Sequence, residues 1–334
     1  RYMARLMTYP HRGKDKELTI LVATSGDTGG AVAAGFYQTP GIRVVILYPS
    51  GKVSPLQEKQ LTTLGHNITA LEVAGTFDDC QALVKQAFLD QALRQQVRIS
   101  SANSINISRL IPQSFYYFEA WKQLAATGDP ISFCIPSGNF GNLTAGLLAY
   151  QMGLPVHHFI AATNSNDVVP AYLNAGNYEP KASVRTLSNA MDVGNPSNFA
   201  RMVDLFASAK GKGIPTDEGI WRGMQDRIKG YAFTDDATEN AVRQIKTKYD
   251  YTIDPHGAVG YLALATYQKT YPNTRGIILE TAHPAKFKED MDRVLGYEIN
   301  VPERLATLAN KEKVATEMGI TYPEFRSWLL AHLR

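Results

Sequence analysis

Cysteine is scarce in this chain: Cys80 and Cys134 are the only two among 334 residues. Two thiols in so long a chain supply no disulfide framework and fit a reducing compartment, read here as the cytoplasm. Neither C-x-x-C nor H-E-x-x-H spacing occurs, so no metal site is expected. Charge is low as well, 19% of residues with a net +3 and no basic run, which gives no nucleic-acid footprint. So small a positive balance suits anionic ligands and many other proteins equally. No uninterrupted apolar run approaches the roughly 18 residues that a membrane span requires. The dinucleotide pattern G-x-G-x-x-G and the Walker pattern G-x-x-x-x-G-K-[ST] are both missing, which disfavours nicotinamide and ATP.

What is present is ordinary globular material, 44% hydrophobic, enough for two domain-sized cores. Arg1 to Met7 reads as the continuation of an amphipathic helix with Met3, Leu6 and Met7 on one face, so the natural chain is expected to begin upstream. The pair His157-His158 falls on an expected strand, where alternation would bury one ring and expose the other.

Strand and helix patterns alternate with short links. Leu18–Ala23, Arg43–Leu47, Thr69–Val73 and a strand ending near Ser100 alternate with helices over about Ala31–Tyr37, from Ser54-Pro55, and from Phe77 through Phe88. This is the grammar of βαβ units and a parallel sheet. A long helix is expected after Pro112, with Phe115, Phe118 and Trp121 facing a core. The turn-rich Thr127-Gly128-Asp129-Pro130 marks the start of a second unit. That unit opens with the strand Ile131–Ile135, a glycine loop and a helix through Leu147; a strand from Val156 to Ala162 follows, then an irregular region from Asn164 to about Lys229. Arg275–Glu280 is again strand-like, and a short helical tail follows Thr316. The fold class expected is α/β, two parallel-sheet domains over residues 1–125 and 126–334.

Two loops share one pattern, an apolar strand, then small polar residues with glycines, then a helix. The first is Ala23-Thr24-Ser25-Gly26-Asp27-Thr28-Gly29-Gly30, and the second is Pro136-Ser137-Gly138-Asn139-Phe140-Gly141-Asn142. Glycine lets backbone approach an anion closely, and the N–H groups and dipole of the helix start favour negative charge. In open parallel sheets such loops lie at the carboxyl ends of strands, where ligands collect. Either loop alone is equally a plain tight turn; two in one chain point to a ligand with two anionic ends, or to two anionic ligands. A third segment, Ser101 to Arg109, gathers amide, hydroxyl and guanidinium donors, and the Arg109 fork suits phosphate or carboxylate.

These strings resemble the threonine synthases, closest to the long bacterial and fungal type. LVATSGDTGGAVA is similar to the family's substrate loop and PSGNFGNLTAGLLA to its cofactor-phosphate loop. VVILYPSGKVSPLQEKQ, GHNITALEVAGTFDDCQALVKQAF, SANSINISRL, LSNAMDVGNPSNF and ETAHPAKFKE continue the likeness in order, from Ala4 to about Leu295. TSGDTG alone is shared with serine and threonine dehydratases and cysteine synthases; its combination with SGNFGN and TAHPAKF is specific. The resemblance implies the tryptophan-synthase-like fold (fold type II) and pyridoxal 5'-phosphate as cofactor. It also implies a reaction on O-phosphohomoserine: loss of protons at Cα and Cβ, departure of phosphate from Cγ, and addition of water at Cβ to give threonine.

Residue by residue, the resemblance assigns the cofactor-phosphate cradle to Ser137, Gly138, Asn139, Phe140, Gly141 and Asn142. Asn142 departs from the aspartate common in relatives, removing a charge near the phosphate. Thr281 corresponds to the hydroxyl that faces the pyridine nitrogen and Asp27 to the residue near the phenolic oxygen. Ser25, Gly26, Thr28 and Gly29 correspond to the loop for the substrate carboxylate and neighbouring phosphate, and Asn103, Ser104 and Arg109 to donors for the substrate phosphate. The family's cofactor-carrying lysine lies in a segment resembling A-F-K-D-F-G, expected upstream of Arg1, so the chain as given is expected to be inactive; Lys286 belongs to a different motif. A related phospho-lyase that adds no water, and a non-catalytic phospho-ligand-binding homologue, remain the alternatives. A monomer or small homo-oligomer is expected, with a small-molecule substrate and neither nucleic acid nor membrane as partner.

Overall fold

A computed structural model describes residues 2–9, 17–24, 26–103, 106–208 and 216–333, with Asp27 and Ala309 described by backbone alone. The chain forms two compact units, one of Arg1–Arg109 with Asn300–Arg334 and the other of Leu110–Ile299. The first contains α1 (Tyr2–Thr8), β1 (Leu18–Ala23), α2 (Asp27–Phe36), β2 (Ile42–Pro49), α3 (Pro55–Thr62), β3 (Ile68–Val73), α4 (Phe77–Leu89), α5 (Gln91–Gln96) and β4 (Arg98–Ser101). Helix α6 (Ile107–Leu124) carries the chain into the second unit. There follow β5 (Ile131–Pro136), α7 (Gly141–Gln151), β6 (Phe159–Thr163), α8 (Val168–Ala175), α9 (Phe199–Ser208) and α10 (Asp217–Arg227). The second unit ends with β7 (Ile228–Ala232), α11 (Asp235–Tyr249), α12 (Pro255–Thr270), β8 (Arg275–Ile278) and α13 (Lys288–Leu295), and the chain closes with α14 (Glu303–Ala309), β9 (Thr316–Met318) and α15 (Tyr322–His332).

The first unit's sheet has the order β4-β1-β2-β3-β9, all parallel. Both faces are covered, which is why β1 is apolar throughout rather than alternating. Ile20 and Val22 pack on one side with Val32, Phe36 and Leu61 from α2 and α3. Leu21 and Ala23 pack on the other with Leu83, Val84 and Ala87 of α4 and Phe325 and Leu329 of α15. Each such aliphatic or aromatic side chain contributes about 1.5–3 kcal/mol by leaving water. Ser54 starts α3 with a reciprocal capping box to Gln57, and Pro55 takes the first helical turn, as the sequence predicts.

The domain division differs from the one expected. The boundary falls at Arg109/Leu110, inside α6, and the last 35 residues belong to the first unit, not the second. The reason is edge pairing: β9 extends the sheet beside β3, with Ala74 N–H donating to Met318 O at 2.9 Å. Lys313 anchors the same segment, 2.7 Å from Glu58 and 2.6 Å from Glu72. A three-residue strand carries too little pattern to be read locally.

The second sheet, β7-β6-β5-β8, is also parallel. Ile131, Phe133 and Ile135 face α7 and α8, whereas Cys134 faces α12 with Ile160, Val259 and Ala263. Several local expectations are corrected here. Helix α6 begins five residues before Pro112, which it accommodates in its second turn. Its buried stripe is Leu110, Ser114 and Tyr117; Phe115 is exposed, and Phe118 and Trp121 are only partly buried. The region from Asn164 to Lys229, read as irregular, contains α8, α9, α10 and the start of β7. His157 and His158 precede β6 rather than lying on it, and both rings are half-buried with centroids 4.1 Å apart. Burial, then the nearby Arg227 and Lys229, lowers the His157 pKa; burial pushes His158 down to about 4. In α1, Met3 and Ala4 are buried while Leu6 is exposed.

Candidate active site

The loop after β5 is built by its own side chains. Asn142, in the first turn of α7, accepts the Ser137 hydroxyl at 2.5 Å and the Leu143 N–H at 3.0 Å, while its Nδ2 donates to Pro136 O at 2.8 Å. It ties the two ends of the loop together. A carboxylate could not make the donation to Pro136. Tyr117, fully buried, donates to Asn142 O at 2.6 Å.

Phe140 is the N-cap of α7 and sits in the left-handed region at φ 56, a costly conformation for a bulky residue. It is held there by burial and by Thr144, whose N–H and hydroxyl both donate to Phe140 O at 2.9 and 2.7 Å. Asn139 accepts from Ser197 N–H at 2.9 Å, and Asn198 donates to Asn139 O at 3.0 Å. Gly138 is required by a close approach: a Cβ there would stand 2.8 Å from Ala190 O and 2.8 Å from Met191 Cα.

The outcome is a cradle of donors. Among the described residues, the N–H groups of Gly138, Asn139, Phe140, Gly141 and Asn142 have no hydrogen-bond partner, and they open a helix of 11 residues. Unpaired N–H groups at the positive end of a helix form an anion site.

Register places other expected residues at this same sheet end. Cys134 pairs with Ile278, so Thr281 lies three residues past that pair, as Ser137 does on the neighbouring strand. Thr281 is exposed, and its hydroxyl makes no hydrogen bond among the described residues. On the other side of β5, Pro136 pairs with Ala162, which brings up Asn164 and Asn166.

Those asparagines are a part of the site that sequence reasoning missed. Asn164 Nδ2 donates to Thr186 Oγ1 at 2.7 Å and Asp192 Oδ1 at 2.9 Å; Asn166 Nδ2 reaches Asp192 at 3.2 Å and Val184 O at 3.0 Å. Asp192 also accepts from Thr186 N–H at 2.9 Å. This network shapes residues 184–193, the wall against Gly138. Burial pushes the Asp192 carboxyl up to about 6 despite those donors. Asn189 Oδ1, in the same wall, is buried without a partner among the described residues. The available signal was the run Thr163-Asn164-Ser165-Asn166 and the Asn and Ser residues of LSNAMDVGNPSNF, residue types that cross-link loops.

In the first unit, Thr24 organises the loop after β1. Its buried hydroxyl accepts from Gly26 N–H at 2.9 Å and Gly29 N–H at 2.8 Å. Gly26 has φ 135, and a Cβ on it would meet Gln57 at 2.8 Å; one on Gly29 would meet Thr24 Cγ2 at 2.5 Å. Thr28 is half-buried in α2. Asn103 joins this loop to the segment after β4, accepting Ala23 N–H at 3.1 Å and donating to Ala23 O at 2.7 Å. Arg109 Nη1 donates to Ala102 O at 2.9 Å. Gly26, Thr28, Gly29, Asn103 and Arg109 thus share one end of one unit, although the Asn103 amide is turned to the backbone of Ala23. Ser25 and Ser104 lie outside the described residues, as does the side chain of Asp27. Among the described residues no group of three or more His, Cys, Asp or Glu side chains is placed to hold a metal ion.

Comparison with known proteins identifies this arrangement. Residues 1–279 match the model of the pyridoxal-phosphate-dependent enzymes, and residues 257–324 match that of the threonine synthase C-terminal region. The threonine synthase of Escherichia coli (strain K12) is 48% identical over 334 residues, which cover 99% of this chain and 74% of that one. The chain belongs to the threonine synthase family. Solved threonine synthases agree: that of E. coli superposes with a TM-score of 0.88 at 46% identity, covering 99% of this chain and 74% of the other. Threonine synthase from Brucella melitensis, described as bound to pyridoxal phosphate, gives 0.87 at 34% identity over 99% and 74% of the two chains. The fold is that of the fold type II pyridoxal-phosphate enzymes, as the sequence predicts. Threonine synthases take pyridoxal phosphate as cofactor, and the residues present fit it: the cradle after β5 offers its phosphate a row of N–H donors on a helix start.

Proposed function

We propose that this threonine synthase homologue converts O-phospho-L-homoserine and water to L-threonine and phosphate, using pyridoxal phosphate. The observation that carries the reading is the cradle of unpaired N–H groups from Gly138 to Asn142, in a chain with nearly half its residues identical to a threonine synthase. When bound, the cofactor supplies an electron sink for carbanion chemistry at the substrate.

The chain's own residues bind and orient. Gly138 to Asn142 hold the cofactor phosphate at the start of α7, with Ser137 and Asn142 keeping the loop closed beneath it. Thr281 offers a neutral hydroxyl to the pyridine nitrogen, and Asp27 serves the phenolic oxygen. In the first unit, Ser25, Gly26, Thr28 and Gly29 take the substrate carboxylate, and Arg109 with Ser104 grips the substrate phosphate. Asn103, whose amide spans Ala23, holds those two segments together and acts on the substrate phosphate through that placement. The protein works as a monomer or small homo-oligomer in a reducing cytoplasm; the buried, unpaired Cys80 and Cys134 support that compartment.

Product analysis tests the reading. The full-length protein, given O-phosphohomoserine, should release phosphate and threonine in equal amounts. Formation of 2-oxobutyrate in place of threonine would make it a lyase that adds no water, and absence of turnover would favour a binding protein.

A further inference from the structure

Asp254 is fully buried at the start of α12. Its Oδ1 accepts the His256 N–H at 2.9 Å and lies 2.8 Å from His256 Nδ1. The opposite ring nitrogen, Nε2, is 3.2 Å from the N–H of Ala190. A peptide N–H can only donate, so Nε2 carries the lone pair and Nδ1 carries the hydrogen given to Asp254. Ala190 is in turn the residue whose carbonyl crowds Gly138. Asp254, His256, Ala190 and Gly138 therefore form one line from α12 to the cradle.

The line continues on the other side. Asp254 Oδ2 is buried with no partner among the described residues, a costly state for a carboxylate oxygen. The Glu280 carboxyl stands against Asp254 and accepts the Tyr251 hydroxyl at 2.8 Å. Gly257 gives it room, since a Cβ there would lie 3.2 Å from Glu280 Cδ. Glu280 as a residue is exposed. Withdrawal from water and, more weakly, the charge of Asp254 hold it above the ordinary carboxylate range.

We propose that Asp254 and His256 are positioning residues for the cofactor phosphate: they lock Ala190 against Gly138 and so set where the cradle's N–H groups point. Capping α12 requires only Asp254 and the His256 N–H, so the ring's second contact serves the wall and not the helix. The group facing the ring from α12 itself is Asp254, and from the 284–287 turn it is the Phe287 ring, 5.1 Å between centroids. The inference rests on the reading of the cradle as a cofactor-phosphate site.

The test uses the full-length protein and two probes, pyridoxal phosphate and pyridoxal, titrated by fluorescence. His256→Leu should weaken pyridoxal phosphate at least about tenfold and leave pyridoxal and the melting temperature of the cofactor-free protein nearly unchanged. His256→Gln, whose side-chain carbonyl can accept the Ala190 N–H, should restore affinity to within about threefold. Nitrogen NMR of histidine-labelled protein should show His256 hydrogenated at Nδ1 only. Equal losses for both probes, unchanged pyridoxal phosphate binding in His256→Leu, or a hydrogen on Nε2 would overturn the proposal. Should His256→Leu fail to fold, the NMR spectrum and the His256→Gln titration decide. If the unaltered protein does not prefer pyridoxal phosphate to pyridoxal, the cradle reading itself fails, which is a different result.

Discussion

The loops after β1 and after β5 look alike in sequence and are built in opposite ways. In the first, Thr24 consumes the N–H groups of Gly26 and Gly29, and the glycines make room for Gln57, Thr24 and Leu61. In the second, side chains bind one another, a carbonyl and the N–H groups of Leu143 and Ser197, and among the described residues the N–H groups from Gly138 to Asn142 are left open. Glycine thus does two jobs under one pattern. It admits neighbouring protein in the first loop, and in the second it lets a rigid wall press the loop into a shape that offers its backbone. A strand–glycine–helix motif marks where a ligand site can form; who holds the N–H groups decides what it does.

Arg109→Ala should have the largest effect. Removing the guanidinium beside the first loop should lower kcat/KM for O-phosphohomoserine by about 2–5 kcal/mol and leave cofactor affinity intact. A loss of cofactor affinity with normal turnover of bound substrate would reverse the roles of the two loops. Gly138→Ala should come next: the new methyl meets backbone at Ala190 and Met191, and such overpacking costs about 1–3 kcal/mol. That cost should fall on pyridoxal phosphate affinity, read by fluorescence titration, and not on substrate KM at saturating cofactor.

Thr24→Val keeps the shape of the first loop and orphans two buried N–H donors. It should lower unfolding free energy by about 2 kcal/mol in denaturant titration. The same protein should bind the cofactor normally, because its cradle is elsewhere in the chain. An equal loss of cofactor affinity would show that the loops do not have separate tasks.

The smallest effect concerns the wall of the second loop. Burial raises the Asp192 carboxyl to about 6, so its contribution to stability is fully present below about pH 4 and is lost as pH rises through 6. Hydrogen exchange at the Thr186 and Val184 amides should therefore show less protection at pH 7 than at pH 5 after correction for the intrinsic rate. Asp192→Asn should flatten that difference. An unchanged pH dependence in the variant would place its origin in another group.

The alternation of β1, α2, β2, α3, β3 and α4 was legible in the chain because each element announces itself within a few residues. An all-apolar strand, the Ser54 cap with Pro55, and the glycine after a strand are local signals. The two loops and their family were legible for the same reason. The domain boundary was not: β9 joins β3 across more than 240 residues of sequence, and three residues hold no period. Nor were α8, α9 and α10, whose Asn-, Pro- and Gly-rich surroundings mask helices stabilised by packing on the second core. The site divided in the same way. The loop after β5 could be picked out from the sequence, but the partners that shape it, Asn164, Asp192, Asp254 and His256, come from distant segments joined only by the sheet. Local residue order determined which backbone could receive a phosphate, through glycine and helix starts. Tertiary structure alone decided which N–H groups remain open to receive it, because hydrogen bonds are exhausted by whatever folding brings within 3 Å.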